Sequence, residues 1–153
     1  MPLTIRRATS ADGPAVAEVW LRSFASAYTF PAAHPDDDVR RWIREQLIGD
    51  HETWVAEDER GIVGLSSLSP GWVDQLYVDP SAQGEGIGRR LLELAMTRDT
   101  TGELQLWTFQ ANERARRFYG RNGFVEVERT DGAGNEERQP DVRLAWGPDA
   151  AVG

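Results

Sequence analysis

The alternation of apolar and polar positions divides the chain into short strands and amphipathic helices. Leu3-Thr4-Ile5-Arg6 alternates with period two and predicts a first strand. Behind it, Ser10 to Pro14 offers a helix cap with an early proline, and Val16, Val19, Trp20 and Phe24 recur at helical spacing. A second helix is predicted behind Asp36-Asp37-Asp38, whose charges suit the positive end of a helix dipole, with Val39, Trp42, Ile43 and Leu47 on its apolar face. Residues 53–57 and 62–66 flank Asp58-Glu59-Arg60-Gly61 as a hairpin, and Ser69-Pro70-Gly71 turns the chain into a strand at Trp72–Val78. Then Ile87, Leu91, Leu94 and Ala95 predict another helix, and residues 104–109 a mostly buried strand. Ala115, Phe118 and Tyr119 share a short helix opened by Asn112 and stopped by Gly123; residues 124–127 and 142–146 are the last strands.

Helices alternate with strands only in the second half of the chain, so the sheet is expected to be mixed rather than all parallel. The predicted class is α+β, with helices layered on a sheet. With no repeat and no linker, a single domain over residues 1–147 is expected, followed by a disordered tail at 148–153.

Composition narrows the chemistry. The 25 acidic and 17 basic residues leave a net charge of −8, which argues against a nucleic-acid partner and favours a cationic substrate. There is no cysteine, so a thiol acyl-enzyme and thiolate metal sites are excluded. Every basic residue is arginine, which excludes a phosphate-loop lysine. No set of ligands accompanies the three aspartates at 36–38, and no metal is expected. No stretch approaches the ~20 apolar residues of a membrane span, and the N-terminus leads straight into a strand, so a cytoplasmic location is expected.

The candidate chemistry lies between Trp72 and Leu94, where a strand, a glycine turn and a helix follow one another. Glycines 84, 86 and 88 let successive backbone N–H groups converge at a helix N-terminus, an arrangement that suits a phosphate. A Walker loop would need a lysine where Arg89 stands, and a dinucleotide fingerprint would place its third glycine one residue later. A purely structural turn remains open on the residues alone.

Gln83, Gly86 and Gly88 match the pyrophosphate-loop pattern Gln/Arg-x-x-Gly-x-Gly/Ala, and Asn112, Tyr119 and Gly123-Phe124 follow at a second characteristic spacing. In this combination the chain from Ile5 to Trp146 resembles the GNAT superfamily of acyl-CoA-dependent N-acetyltransferases. The resemblance implies a twisted, mostly antiparallel mixed sheet whose central parallel strands splay apart, flanked by about four helices. It also implies acetyl-CoA as acyl donor, an amine acceptor from a small molecule, peptide or protein, and direct transfer in a ternary complex. Homodimers are common in the family. A non-catalytic acyl-CoA sensor built on the same loop is the competing expectation.

Residue by residue, the resemblance puts the main chain of Leu76, Tyr77 and Val78 along the pantetheine arm, with the Leu76 N–H as oxyanion donor. Gln83, Gly84, Glu85, Gly86, Ile87, Gly88 and Arg89 would hold the pyrophosphate, with Arg89 or Arg90 reaching outer phosphates. Asn112 would bond the pantetheine arm, and Tyr119 would act as general acid toward the leaving thiolate. Trp107 occupies a position where some members carry a basic glutamate. The base is therefore sought at Asp74, in phase with Leu76 and Val78 unless a bulge intervenes, or at Glu137. Tyr28, Glu136 and Glu137 are the candidate substrate contacts, with Asp141 close by; His34 and His51 are given no role.

Overall fold

The computed structural model describes residues 2–148; the expected tail lies, beyond Pro148, outside the described residues. Seven strands form one sheet: β1 (Thr4–Arg7), β2 (Glu52–Asp58), β3 (Gly61–Ser69), β4 (Trp72–Val78), β5 (Leu104–Phe109), β6 (Val125–Thr130) and β7 (Asp141–Trp146). Their order is β1-β2-β3-β4-β5-β7-β6, and every neighbouring pair is antiparallel except β4 with β5. Four helical bodies flank the sheet. They are α1 (Gly13–Ala27), α2 (Asp36–Trp42) running through a π-helical turn into α3 (Ile48–Asp50), α4 (Ile87–Arg98) and α5 (Glu113–Arg121). The mixed, mostly antiparallel three-layer fold agrees with the expectation.

One face of the sheet takes α1 and α2. Val16, Val19, Trp20 and Phe24 pack with Val39, Ile43 and Leu47 over Val55 and Leu65. On the other face α4 serves both halves of the sheet: Ile87 and Leu91 cover Ala56 and Val63, and Leu92 and Ala95 cover Leu104 and Leu106. That double task corrects the sequence stripe. Leu92 is buried and Leu94 only half-buried, because the apolar face must be wide enough to reach strands on both sides of the centre. β5 is likewise less enclosed than expected: Leu104 and Leu106 are buried, but Trp107 points to the opposite face and is 43% exposed.

Where β1 leads into α1, the Asp12 carboxylate accepts two bonds from the Arg6 guanidinium at 2.8 and 3.0 Å and one from the Thr9 N–H at 2.7 Å. The guanidinium outweighs burial and lowers the Asp12 carboxyl to about 2. This fixes the start of α1, whose far end reaches the centre of the sheet. There the Trp20 indole N–H donates to Gln75 Oε1 at 3.1 Å, and the Ser23 hydroxyl donates to the Val78 carbonyl at 3.0 Å.

The centre of the sheet is split. β4 and β5 share one bridged pair, Trp72 with Gln105, and the Gln105 N–H reaches the Gly71 carbonyl at 2.9 Å. Beyond this point the strands part. On the β3 side, Gln75 faces Ser67 and Val73 faces Leu68, so Asp74 is an extra, unpaired residue. A bulge bends the strand that carries it, and this one lies where β4 leaves β5.

Candidate functional site

A cavity of about 950 Å³ opens between the parted strands and runs from the glycine turn to the start of α5. The hydrogen-bond register decides which main-chain groups line it. Asp79 N–H bonds the Val63 carbonyl at 2.8 Å across the Gly64–Val78 pair, so Val78 is a non-hydrogen-bonded position of the β3–β4 ladder. By alternation Tyr77 bonds to β3, whereas the N–H groups of Leu76 and Val78 point away from it into the gap. The side chains sort the other way: Leu76 and Val78 pack toward α4, and Tyr77 packs against the α1 core.

The turn after β4 is fixed from several sides. Asp79 is 6% exposed; its carboxylate accepts the Ser81 N–H at 3.0 Å and the Arg22 Nε–H at 2.7 Å. Burial opposes its charge, but Ser81 and Arg22 together keep its pKa below the ordinary value. Gln83 folds its amide back onto the Val78 carbonyl at 3.2 Å, and Glu85 is held by Arg60 at 2.7 Å. Gly84 and Gly86 adopt φ of +83° and +84°, a region costly for any residue with a Cβ, and a Cβ at either would meet nothing within 4 Å. Gly86 opens α4, and Arg90 is the residue whose N–H bonds back to the Gly86 carbonyl at 3.2 Å. The N–H groups of Ile87, Gly88 and Arg89 therefore precede the first intrahelical bond and form a seat for an anion.

Two expectations change here. Gly88 is helical, and its missing Cβ admits the Phe118 ring, whose nearest atom would lie 3.3 Å from that Cβ; the third glycine serves helix packing rather than loop geometry. Arg90 donates to the Leu3 carbonyl at 3.2 Å, so reaching an outer phosphate would mean breaking that exposed bond. Arg89 pairs with Glu93 one helical turn on, at 3.0 Å, with its side chain largely in solvent.

At the far wall, Asn112 caps α5 by accepting the Ala115 N–H at 3.0 Å, and its amide nitrogen donates to the Tyr28 hydroxyl at 3.0 Å. Tyr28 also packs against Phe24, Phe30 and Phe109, with ring centroids 4.8, 4.9 and 5.1 Å away. It thus links the end of α1 to the end of β5 across the splayed strands. Tyr119 lines the cavity and is 7% exposed. Burial, then the neighbouring Tyr28, raises its pKa above the ordinary phenol value, so it is a neutral O–H donor across the working range.

The acidic candidates separate clearly. The bulge changes the phase of Asp74, since Val73 takes the phase shared with Leu76 and Val78, yet Asp74 still lines the cavity, 3.8 Å from His51 Nδ1. Glu136 meets His34 Nε2 at 2.6 Å, with both side chains mostly exposed. Glu137 is different, because its Oε2 is buried with no hydrogen-bond partner among the described residues. Burial raises its pKa above the ordinary carboxylate value; its own N–H opposes this, Glu136 and Asp141 add to it, and His34 opposes it. Its charge acts on Tyr28 and Tyr77, which line the cavity, but Glu137 itself is not among the lining residues.

Sequence reasoning missed Ser23, Arg22 and Gln75, the groups that tie α1 to β4 and to the turn. It also missed the pairing of each histidine with a carboxylate. Ser23 and Arg22 stand next to Phe24 in the α1 stripe, but their partners lie 55 and 57 residues away. No local pattern announces such contacts. Among the described residues no cluster of three or more His, Asp or Glu could hold a metal, and no helix is long and apolar enough to cross a membrane.

Comparison with known proteins places this geometry. The family described as "Acetyltransferase (GNAT) domain" matches residues 49–126, from the end of α3 through the split strands and glycine turn to β6. The peptidyl-lysine N-acetyltransferase YjaB of Escherichia coli is 30% identical over 147 residues, covering 95% of this chain and 98% of that protein. Its apo solution structure superposes with a TM-score of 0.79. YiaC of the same organism, also named a peptidyl-lysine N-acetyltransferase, is 30% identical over 144 residues, covering 93% of this chain and 95% of that protein. The structure of yncA from Salmonella typhimurium with its cofactor acetyl-CoA shares the fold, with a TM-score of 0.71 at 21% identity, covering 96% of this chain and 94% of that one. With its split parallel strands, its left-handed glycine turn opening α4 and these relatives, the chain belongs to the GNAT family of acetyltransferases.

Proposed function

We propose that this chain transfers an acetyl group from acetyl-CoA directly to the ε-amine of a lysine in a peptide or protein, with both substrates bound at once. The observation that carries the reading is the cleft itself. Unpaired N–H groups line its β4 wall, a glycine anion seat closes one end, and Asn112 and the buried Tyr119 line the other. Its volume of about 950 Å³ suits a large cofactor, and the two YjaB and YiaC relatives are named for peptidyl-lysine.

When bound, acetyl-CoA supplies an activated thioester whose carbon accepts the amine and whose sulfur departs. The Ile87, Gly88 and Arg89 N–H groups hold the pyrophosphate, with Gln83, Gly84, Glu85 and Gly86 shaping the turn. Leu76, Tyr77 and Val78 flank the pantetheine arm, and Asn112 contributes its amide. Glu137 takes one proton from the incoming ammonium, which frees the nitrogen lone pair. Burial of Oε2 favours this transfer, because a carboxylate that is partly desolvated gains a proton more readily. The Leu76 N–H donates to the carbonyl oxygen as negative charge develops there. Tyr119 donates its hydroxyl hydrogen to the departing sulfur and recovers a proton from the nitrogen, which sheds its second one as the amide forms. A neutral thiol leaves, and the one net proton is that taken by Glu137. Tyr28, Glu136 and Glu137 border the acceptor, and the negative charge around them suits a cation.

A lysine-containing peptide with a blocked N-terminus tests the proposal. The chain contains no lysine, so every acetyl-lysine found by mass spectrometry belongs to the acceptor. Acetylation of the peptide lysine together with stoichiometric thiol release is expected. Transfer confined to small free amines overturns the substrate assignment, and binding of acetyl-CoA without thiol release from any amine overturns the enzymatic one. Tyr119→Phe is expected to lower kcat about a hundredfold while leaving the Kd for acetyl-CoA nearly unchanged; an unaltered kcat removes Tyr119 from the reaction.

A further inference from the structure

The loop between β6 and β7 is bonded to itself on both sides of Glu137. Asn135 uses both ends of its amide: Oδ1 accepts the Gln139 N–H at 3.2 Å, and Nδ2 donates to the Gln139 carbonyl at 2.7 Å and to Asp141 Oδ2 at 3.1 Å. The Arg138 N–H adds a main-chain bond to the Asn135 carbonyl at 3.2 Å. Arg138 has φ +56°, the one positive value at a non-glycine among the described residues, and its guanidinium donates to the Ala133 carbonyl at 3.0 Å. A Cβ on Gly132 would overlap the Gln139 carbonyl, so the loop folds back on itself without spare room. Gln110 closes the base by donating to the Thr130 and Asp141 carbonyls, both at 3.0 Å.

Such a construction opposes a specific force. A carboxylate oxygen buried without a partner, as Glu137 Oε2 is, is drawn toward water, and the left-handed Arg138 beside it is strained unless its surroundings fix it. A loosely held loop would relieve both by turning Glu137 outward. The bridge from Asn135 to Gln139 spans Glu137 and prevents this. Taking Glu137 as the base proposed above, we infer that Asn135 is a positioning residue, whose amide bridge keeps the Glu137 Oε2 buried and so fixes where that carboxylate stands.

The charged and titratable groups acting on Glu137 are Glu136, His34, Asp141, Tyr28 and Tyr77. Asn135→Ala removes none of them but frees Asp141 Oδ2 from its bond at 3.1 Å; Gly132→Ala leaves that amide in place, so a limb that moves in both variants reports the position of Glu137. The test is the pH profile of kcat for Asn135→Ala, with Gly132→Ala as a second variant and melting curves to confirm that each is folded. Expected are an acidic limb moved toward lower pH, a kcat at neutral pH lowered about tenfold to a hundredfold, and an unchanged Kd for acetyl-CoA. A role in loop stability alone would lower the melting temperature and leave the limb in place; that result in both variants overturns the inference. Glu137→Gln separates the two levels. If it retains rate and limb, the assignment of the base fails; if it loses both while the limb of the folded loop variants stays put, only the positioning role fails.

Discussion

Glu137→Gln is expected to lower kcat by about a hundredfold or more and to remove the acidic limb of the pH profile, with acetyl-CoA binding intact. In the wild type, activity is expected to rise with pH as Glu137 loses its proton. Because burial raises that pKa, the limb lies above the ordinary carboxylate value of about 4.3. Stability moves in the opposite sense. A group whose folded pKa is raised contributes stability that is complete below its unfolded pKa and lost as pH rises through the folded one. The glutamine variant is therefore expected to gain stability relative to wild type as pH increases through the limb. Parallel rate profiles and thermal melts across the acidic range check both. A variant with normal kcat would leave Asp74 and Glu136 to be considered, although each already faces a histidine.

Gly86→Trp should abolish detectable acetyl-CoA binding while the fold survives. Nothing lies within 4 Å of a Cβ at this position, so the indole would stand in the open space before α4 without displacing any core side chain. Forcing a substituted residue to φ +84° costs about 1–2 kcal/mol, a modest loss for a folded domain. Losing two charge-assisted bonds to a phosphate costs at least about 3 kcal/mol, a hundredfold or more in Kd. Calorimetric titration with acetyl-CoA alongside a melting curve separates the two effects. Normal affinity in the folded variant would remove the anion seat from this turn. A substitution at Gly88 acts differently, since its Cβ would press on Phe118 and disturb the contact between α4 and α5.

Local geometry explains which parts of this site were legible in the sequence. Left-handed glycines, a helix cap and an alternating strand are dictated by a few neighbouring residues. The turn at 83–88, the Asn112 cap and the strand Trp72–Val78 could therefore be located before any tertiary contact was known. Asp74 shows the limit. Strand periodicity put it in phase with Leu76, but one bulged residue reverses the phase, and bulges arise from pairing with β3 rather than from β4 itself. Histidines gave no signal for the same reason: His34 finds Glu136 across 102 residues.

The sequence by itself determined the element order, the mixed sheet, the position of the anion seat and the resemblance to acyl-CoA-dependent acetyltransferases. Each depends on backbone preferences and on the spacing of apolar side chains, which act over a turn or a strand at a time. Only the tertiary structure decided that one oxygen of Glu137 is buried without a partner, and that the N–H groups of Leu76 and Val78 face the gap. Desolvation is the reason. How Glu137 titrates depends on its own clamped loop, on Asp141 at the start of β7 and on His34 ahead of α2 arriving together, and no segment of the chain carries that information alone.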